Sequence, residues 1–250
     1  MSSSKNNPTG LDTENMRNIV RRSYQYIAMY NVINNFAMNE YNPMSTGGWN
    51  KTYVPTALAD HTVKAIARPN NDTLYVCTML DLRADPVVVH YPAFDSKFVS
   101  LETSAYDHYV DIPLSTTKGD FKKPVTMLYY SDRTQGYDGA PVEGIDKYMK
   151  MSGDFAIAFL RIMPHAAEPE RLKKNLATMK EVSAKTLSEY LGKPAKPVEK
   201  TRFPAFGRDA DIFEKGGRYV LQFVFNYTTF DPNDEMDQAV LAALKPLGVE

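Results

Sequence analysis

The chain has 250 residues, and its 29 Lys and Arg against 30 Asp and Glu give a net charge of -1. This length allows a substantial core without a supporting disulfide or metal. The balanced charge argues against nucleic acid as a partner, because binding it requires a basic surface. The single cysteine, Cys77, excludes an intrachain disulfide and leaves the redox compartment open. No apolar run is long enough to predict a membrane span.

The first predicted element is a helix from Asp12 to about Ala37, with Asp12 as its N-cap. Its apolar residues recur at spacings of three and four and should dock on a sheet: Met16, Ile19, Val20, Tyr24, Ile27 and Val32. Asparagines, Pro43 and two glycines then lead into a loop with Trp49, which we expect to pack rather than bind.

The densest local pattern runs from Arg68 to Pro86 as a polar turn, a strand and a second polar turn. Pro69 favours extended backbone at Arg68, and short polar side chains hold the first turn. The strand begins at Thr73, and its two faces alternate without a polar side: Leu74, Val76, Thr78 and Leu80 against Tyr75, Cys77 and Met79. This pattern predicts a core strand covered on both faces.

Further short strands are predicted at close intervals: Val87–Tyr91, Phe98–Ser104, Tyr109–Ile112, Val125–Tyr130 and Phe155–Met163. Between them, Ser131–Lys147 predicts a long surface loop. Such spacing predicts a mainly β protein with packed helices (α+β), built as an antiparallel β-sandwich or a partly open barrel.

The remaining segments predict a helix over Glu170–Leu191, a strand over Arg218–Thr228 and a helix from Asp231 to about Leu244. The aromatic face of that strand, from Tyr219 to Tyr227, is interpreted as core, with stacking on a sugar ring as the alternative. We expect one domain, in which residues 1–50 and 166–250 pack on a β core formed by residues 51–165.

Three short motifs carry a family resemblance: Asn-Asp-Thr-Leu-Tyr at 71–75, Leu-Asp-Leu at 80–82 and Asp-Pro-Val-Val at 85–88. With them the chain resembles the family of domain of unknown function 1254 (DUF1254). Similarity extends to the Asp12–Ala37 helix, the Lys97–Thr103 strand and the Ala156–Arg161 strand. One departure is Tyr129-Tyr130-Ser131-Asp132, which replaces the family's usual glycine-rich segment after the Val125 strand.

The resemblance implies a β-rich fold and an exported protein, periplasmic or secreted. A cytoplasmic location stays open, because the polar first ten residues contain no signal-peptide core. A jelly-roll domain classed as DUF1214 often follows in this family, and we expect it to be missing here, where the chain stops at Glu250. The resemblance implies no activity, so it predicts the fold better than the function.

Ionisable side chains gather on consecutive predicted strands around Asp107 and His108, with Glu102 on the strand before them. These three residues are the predicted catalytic groups, because acid–base chemistry needs such residue types in a polar concave site. The alternative is a solvated rim. Their spacing matches no metal motif, and we expect no metal and no cofactor.

The predicted ligand-binding residues lie in or beside polar turns: Asn71, Asp72, Tyr75, Tyr106 and Tyr109. For Asn71 and Asp72 the alternative is a hydrogen-bonded turn that sets the strand register. Two function classes therefore remain, an enzyme or binder of a small polar molecule such as a sugar and a non-catalytic assembly module. A homo-oligomer is also predicted, because the motif strand needs cover on both faces.

Overall fold

The computed structural model describes residues 13–63, 70–204 and 207–249, and within these ranges the strands form two sheets. The strands are β1 Lys51–Tyr53, β2 Leu74–Asp81, β3 Val87–Tyr91, β4 Val99–Ala105, β5 Val110–Ser115, β6 Val125–Tyr130, β7 Lys147–Lys150, β8 Phe155–Ile162 and β9 Ser183–Thr186. One sheet has five strands in the order β1-β2-β8-β4-β5, and the other has four in the order β7-β6-β3-β9.

The two sheets enclose the larger hydrophobic core. The five-stranded sheet contributes Leu74, Val76 and Leu80 of β2 and the face of β8 that carries Ala156, Ala158, Leu160 and Ile162. The four-stranded sheet contributes Val87 and Val89 of β3. The other face of β2 carries Cys77 and Met79, which are also fully buried. The prediction that this strand is covered on both faces is therefore confirmed.

The helices of the described ranges are α1 Thr13–Arg22, α2 Tyr24–Met38, α3 Pro169–Thr178, α4 Leu187–Tyr190, α5 Asp209–Asn226 and α6 Glu235–Leu244. Residues of α1, α2, α5 and α6 form one hydrophobic cluster with the outer face of the five-stranded sheet, whereas α3 packs against the larger core and Leu187 of α4 packs on the four-stranded sheet. Ile27 and Ile33 of α2 pack with α5 and with Met79 and Phe155 of the sheet. Trp49 packs beside them, with its ring 4.8 Å from that of Phe155. No helix in the described ranges is long and apolar enough to cross a membrane.

The α+β prediction is confirmed, and the two separate sheets correspond to its sandwich form. The four-stranded sheet is mixed rather than wholly antiparallel, because β7 runs parallel to β6. The predicted N-terminal helix is interrupted at Ser23 and forms two helices, α1 and α2. Asp12, Arg68 and Pro69 lie outside the described residues.

The predicted strand over Arg218–Thr228 is wrong, because this segment forms the C-terminal half of α5. Val220, Leu221 and Val224 are all buried. A strand would send the adjacent Val220 and Leu221 to opposite faces, whereas a helix buries both on one side. Alternating aromatic residues thus produced a strand pattern in a helix whose buried positions follow helical spacing.

The predicted helix over Glu170–Leu191 is wrong in its second half. After α3 and a short 3-10 turn, residues Ser183–Thr186 form β9 and pair antiparallel with β3. Thr186 then starts α4 with a capping box, in which its hydroxyl accepts from the Glu189 N–H and Glu189 accepts from the Thr186 N–H. The open edge of β3 gains backbone hydrogen bonds from this pairing, and that gain outweighs the local helix propensity.

Candidate functional site

Two pairs of predicted site residues lie at opposite ends of the strands in the five-stranded sheet. Asn71 and Asp72 precede β2, whereas Asp107 and His108 follow β4. Both strands run antiparallel to β8, so β2 and β4 run in the same direction and start at the same end of the sheet. The two pairs are therefore separated by a strand length, about 23 Å. The fold does not bring these predicted catalytic and binding residues into one site.

At the end of the sheet where β2 starts, Asn71 and Asp72 are exposed in the turn before the strand. The Asp72 N–H donates to Asn70 Oδ1 at 2.6 Å, which is the side-chain-to-backbone bond expected of a polar turn. This contact assigns the acceptor role in the turn to Asn70.

Tyr75 and Glu102 belong to one group on the outer face of the sheet. The Tyr75 ring lies 5.0 Å from that of Phe159, and the Arg161 guanidinium lies 5.6 Å from the Tyr75 ring centre. Arg161 Nη2 is also 3.3 Å from Glu102 Oε2. Glu102 is thus paired with a cation in the middle of β4, away from Asp107 and His108.

At the opposite end, where β4 finishes, Asp107 Oδ1 accepts a hydrogen bond from the Tyr109 N–H at 3.2 Å. The Ser152 hydroxyl also donates a hydrogen bond to the Asp107 carboxylate. Burial raises the pKa of Asp107, and these hydrogen bonds oppose the shift. His108 is exposed and has a φ of 71°, and Tyr109 is 75% exposed. The predicted acid–base pair therefore combines a half-buried carboxylate with a solvent-facing imidazole.

Tyr106 is buried in the core rather than lining a pocket. Its hydroxyl donates to Asn34 Oδ1 at 3.2 Å and accepts from Asn34 Nδ2 at 2.8 Å. Burial raises the pKa of the Tyr106 hydroxyl well above its ordinary value. This side chain joins α2 to the end of β4.

Sequence reasoning missed an ionic cluster at this second end of the strands, formed by Asp81, Arg83, Arg133 and Asp154, in which the aspartates are buried and the Arg133 side chain is 41% exposed. Arg83 donates to both carboxylate oxygens of Asp81, with Nε–Oδ1 at 2.9 Å and Nη2–Oδ2 at 2.8 Å. Arg133 Nη2 lies 2.7 Å from Asp154 Oδ2, and the Ser131 hydroxyl donates to Asp154 Oδ1 at 2.6 Å. Both aspartates are only 4% exposed. The signal in the sequence is Leu-Asp-Leu-Arg at 80–83, whose first three residues are one of the motifs that carry the family resemblance.

This ionic cluster ties α5 to the sheet. Arg133 Nη1 donates at 2.7 Å to the carbonyl of Asn226, the last residue of α5, where a cation is favoured by the helix dipole. The Asp154 N–H donates to the Tyr227 carbonyl at 2.9 Å. Burial raises the pKa of Asp154, and the nearby Asp81 carboxylate adds to the shift, whereas Arg133 opposes it.

Asp85, the third motif aspartate, is also buried and paired. Asp85 Oδ1 lies 2.8 Å from Lys196 Nζ, and its Oδ2 accepts from the Ser188 N–H at 2.7 Å. These contacts hold α4 and the connector that follows it against the start of β3. The motif residues 80–86 are therefore an anchoring point for distant segments of the chain.

Beside the ionic cluster, an open cavity of about 540 Å³ lies between the C-terminal half of α5 and the connector 199–204. Three aromatic residues of α5 and its end line one wall: Tyr219, Phe223 and Tyr227. The opposite wall includes Lys200 and Arg202. The Arg83 guanidinium lies 5.8 Å from the ring centre of Tyr227, which lines the cavity, and 4.8 Å from that of Phe155.

A model of the family described as "Protein of unknown function (DUF1254)" matches residues 49–185, which is more than half of the chain. The chain belongs to the DUF1254 family. The DUF1254 match runs from the segment before β1 to β9 and contains the ionic cluster, whereas α1, α2, α5 and the aromatic wall lie outside it. Within the described residues, no three His, Cys, Asp or Glu side chains are grouped as metal ligands would be.

Among solved structures, the chain is similar to the VPA0106 protein of Vibrio parahaemolyticus, with 24% identity and a TM-score of 0.65. That match covers 94% of this chain and 52% of the other, so this DUF1254 chain spans about half the length of its relative. A putative uncharacterised protein of Burkholderia cenocepacia is 16% identical over 69% of this chain and 50% of its own, with a TM-score of 0.33. No curated protein matches. The likeness to the VPA0106 protein concerns the fold alone.

Proposed function

We propose that this protein binds a small polar molecule such as a sugar in the cavity between α5 and the connector 199–204. The observation that supports this proposal is a row of aromatic side chains, Tyr219, Phe223 and Tyr227, repeating every four residues along one wall of the cavity. Residues four apart on a helix share a face and rise by about 6 Å. In this row Tyr219 offers the stacking surface to a ligand, because its ring is exposed, whereas Phe223 and Tyr227 pack against each other beside it.

The aromatic wall is rigid at one end and accessible at the other. Phe223 and Tyr227 lie 4.7 Å apart between ring centres, and the Tyr227 ring is also 5.0 Å from that of Phe155. Tyr219 is 65% exposed, so its ring is accessible to a ligand. Rigid rings lose little conformational entropy on binding, which favours their use as a recognition surface.

Polar side chains beside the rings are suited to orienting a hydroxylated ligand. Gln222 and Asn226 lie on the same helix, and Gln222 Nε2 donates to the Gly248 carbonyl at 3.2 Å, which holds its amide in place. Glu199, Lys200 and Arg202 face them from the connector. A few fixed polar groups on an aromatic wall are typical of small-molecule sites.

Calorimetric titration with neutral hexoses, amino sugars and uronic acids tests this proposal. Tyr219→Ala is expected to weaken binding about tenfold, because one stacking surface is lost. Its melting temperature should stay near that of the wild type, since the side chain is 65% exposed. Tyr109→Ala is the matched control, because Tyr109 is 75% exposed at a different site. The proposal fails if no sugar binds, or if both variants weaken binding equally.

A second candidate function is a non-catalytic assembly module that forms a homo-oligomer. The observation that favours it is the edge strand β5, where Val110 and Ile112 are 51% and 47% exposed and the preceding Tyr109 is 75% exposed. An apolar edge strand is a surface on which a second copy pairs. Light scattering is expected to return more than the monomer mass of 28.2 kDa, and Ile112→Lys should reduce it. A monomer at high concentration would remove this candidate.

Catalysis by Glu102, Asp107 and His108 and export of the protein stay predictions.

A further inference from the structure

A second cavity, of about 360 Å³, lies between α1 and the N-terminal half of α5. Four cationic side chains line it: Arg17 and Arg21 from α1, and Lys215 and Arg218 from α5. Glu214 is the carboxylate in the lining. Four cations and one carboxylate leave three positive charges around a small space in a chain whose net charge is -1.

Of these four cations, only Lys215 has an ion-pair partner in the described part of the chain. No carboxylate there lies within ion-pair distance of Arg17, Arg21 or Arg218. Lys215 Nζ is 3.9 Å from Asp211 Oδ1, and Asp211 is already bound by Arg208 at 2.9 Å. Glu214 precedes Arg218 by one helical turn and still forms no ion pair with it.

Arg218 carries the most specific signal in this cavity. Its Nε is buried and has no hydrogen-bond partner among the described residues. A buried donor of a charged group is costly to leave unsatisfied, and the described residues leave the Arg218 guanidinium with hydrogen-bonding capacity that its neighbours do not use.

The cavity floor is the pair Gly216-Gly217 in the middle of α5. Helix packing explains Gly217, because a Cβ there would lie 2.7 Å from Val20 Cγ1 and 3.1 Å from Ile27 Cδ1. Packing does not explain Gly216, where a Cβ would meet nothing within 4 Å. Glycine weakens a helix, and it also allows a ligand to approach the backbone closely. At Gly216 it leaves the floor of the cationic cavity open.

We propose that this cavity binds a phosphate monoester. Arginine forks bind phosphate oxygens with paired, charge-assisted hydrogen bonds, and three arginines converge here. The apolar side chains of Val20 and Phe213 in the lining suit the organic part of such an ester. The cavity is separate from the proposed sugar site, and the two share only the Tyr219 side chain at their boundary.

Isothermal titration with phenyl phosphate at fixed ionic strength tests the proposal, with benzyl alcohol as the uncharged control ligand. Arg218→Gln and the double variant Arg17→Gln/Arg21→Gln are each expected to weaken binding at least about tenfold. Arg22→Gln is the matched control, because Arg22 is exposed on the same helix and does not line the cavity. The same variants are tested for co-sedimentation with phosphatidylcholine vesicles containing phosphatidic acid, whose headgroup is a phosphate monoester.

If the protein binds phenyl phosphate but not the vesicles, the ligand of the cavity is a soluble phosphate ester. If it also binds the vesicles and the cavity variants abolish that binding, the ligand is a lipid headgroup. Absence of saturable binding to both probes overturns the proposal, as does an equal loss in Arg22→Gln. If Arg218→Gln melts early, the α1 double variant decides the result. Gly216→Leu gives an independent reading, because it fills the floor without changing a charge. Wild-type affinity in Gly216→Leu would show that the ester binds elsewhere.

Discussion

Arg83 binds the Asp81 carboxylate through two parallel hydrogen bonds although only Leu82 separates them in the chain. The Asp81 side chain is 4% exposed and that of Arg83 is 14% exposed. The same guanidinium donates to the Thr201 hydroxyl and, at 3.3 Å, to the Glu199 carbonyl. One buried ion pair thus connects the end of β2 to the connector that forms a wall of the candidate sugar site.

Removing the cation from this pair is expected to destabilise the fold strongly. Arg83→Met leaves the Asp81 carboxylate buried without its partner, and such changes lower the free energy of unfolding by about 3–5 kcal/mol. Urea denaturation measures the loss. The double variant Asp81→Leu/Arg83→Met removes both charges and should recover part of it.

The matched control for that pair is Arg208→Met. Arg208 also pairs with an aspartate, Asp211, but its side chain is 85% exposed. Exposed pairs are screened by water and contribute little to stability, so the unfolding free energy of this variant should be close to that of the wild type. Equal losses in Arg83→Met and Arg208→Met would show that burial does not govern the Arg83 pair.

Two adjacent alanine substitutions in α5 are expected to change stability in opposite directions. Gly216→Ala places its Cβ in open space and should stabilise the helix by about 0.5–1 kcal/mol. Gly217→Ala places its Cβ 2.7 Å from Val20 Cγ1 and should destabilise by about 1–3 kcal/mol. Thermal and urea unfolding of both variants provide the comparison. A gain in stability for Gly217→Ala would contradict the close contact of α5 with α1 and α2.

The half-buried Asp107 predicts a pH-dependent effect of its amide variant. Because burial raises its folded-state pKa above the ordinary 3.8, the folded protein holds this proton more tightly than the unfolded chain. The protonated Asp107 carboxyl stabilises the folded wild type fully below pH 3.8. This contribution to stability is lost as the pH rises through the raised folded-state pKa. Asp107→Asn cannot ionise, so its melting temperature should rise relative to the wild type between about pH 3 and pH 7.

Glu40→Gln, at an exposed position, controls for the change in net charge. A melting-temperature difference for Asp107→Asn that stays constant over this pH range would show that burial of the carboxylate has no net effect.

In the turn before β2, the side chain of Asn70 should contribute more to the free energy of unfolding than that of Asp72. Asn70 Oδ1 accepts the Asp72 N–H at 2.6 Å, so Asn70→Ala is expected to cost about 0.5–1.5 kcal/mol of unfolding free energy. Asn71→Ala is the control, because Asn71 is exposed in the same turn. A larger loss for Asp72→Ala than for Asn70→Ala, measured in urea, would reassign the acceptor role to Asp72.

The sequence by itself determined the elements whose pattern is independent of distant contacts. The β2 strand was predictable because two apolar faces alternate between polar turns, and β8 was predictable because large and small residues alternate before Pro164. The sandwich class followed from the close spacing of such strands, and the motif between residues 71 and 88 indicated the family.

Tertiary structure alone decided the segments in which local preference and long-range contact disagree. Aromatic residues favour strands locally, but burial of Val220 and Leu221 on one side makes their segment a helix and turns Tyr219, Phe223 and Tyr227 into a cavity wall. The ionic cluster joins Asp81 to Asp154, which are far apart in the chain, and no local window contains both. Pairing energy between distant segments is set by the folded geometry, so the candidate sites emerge only when α5 docks on the sheet.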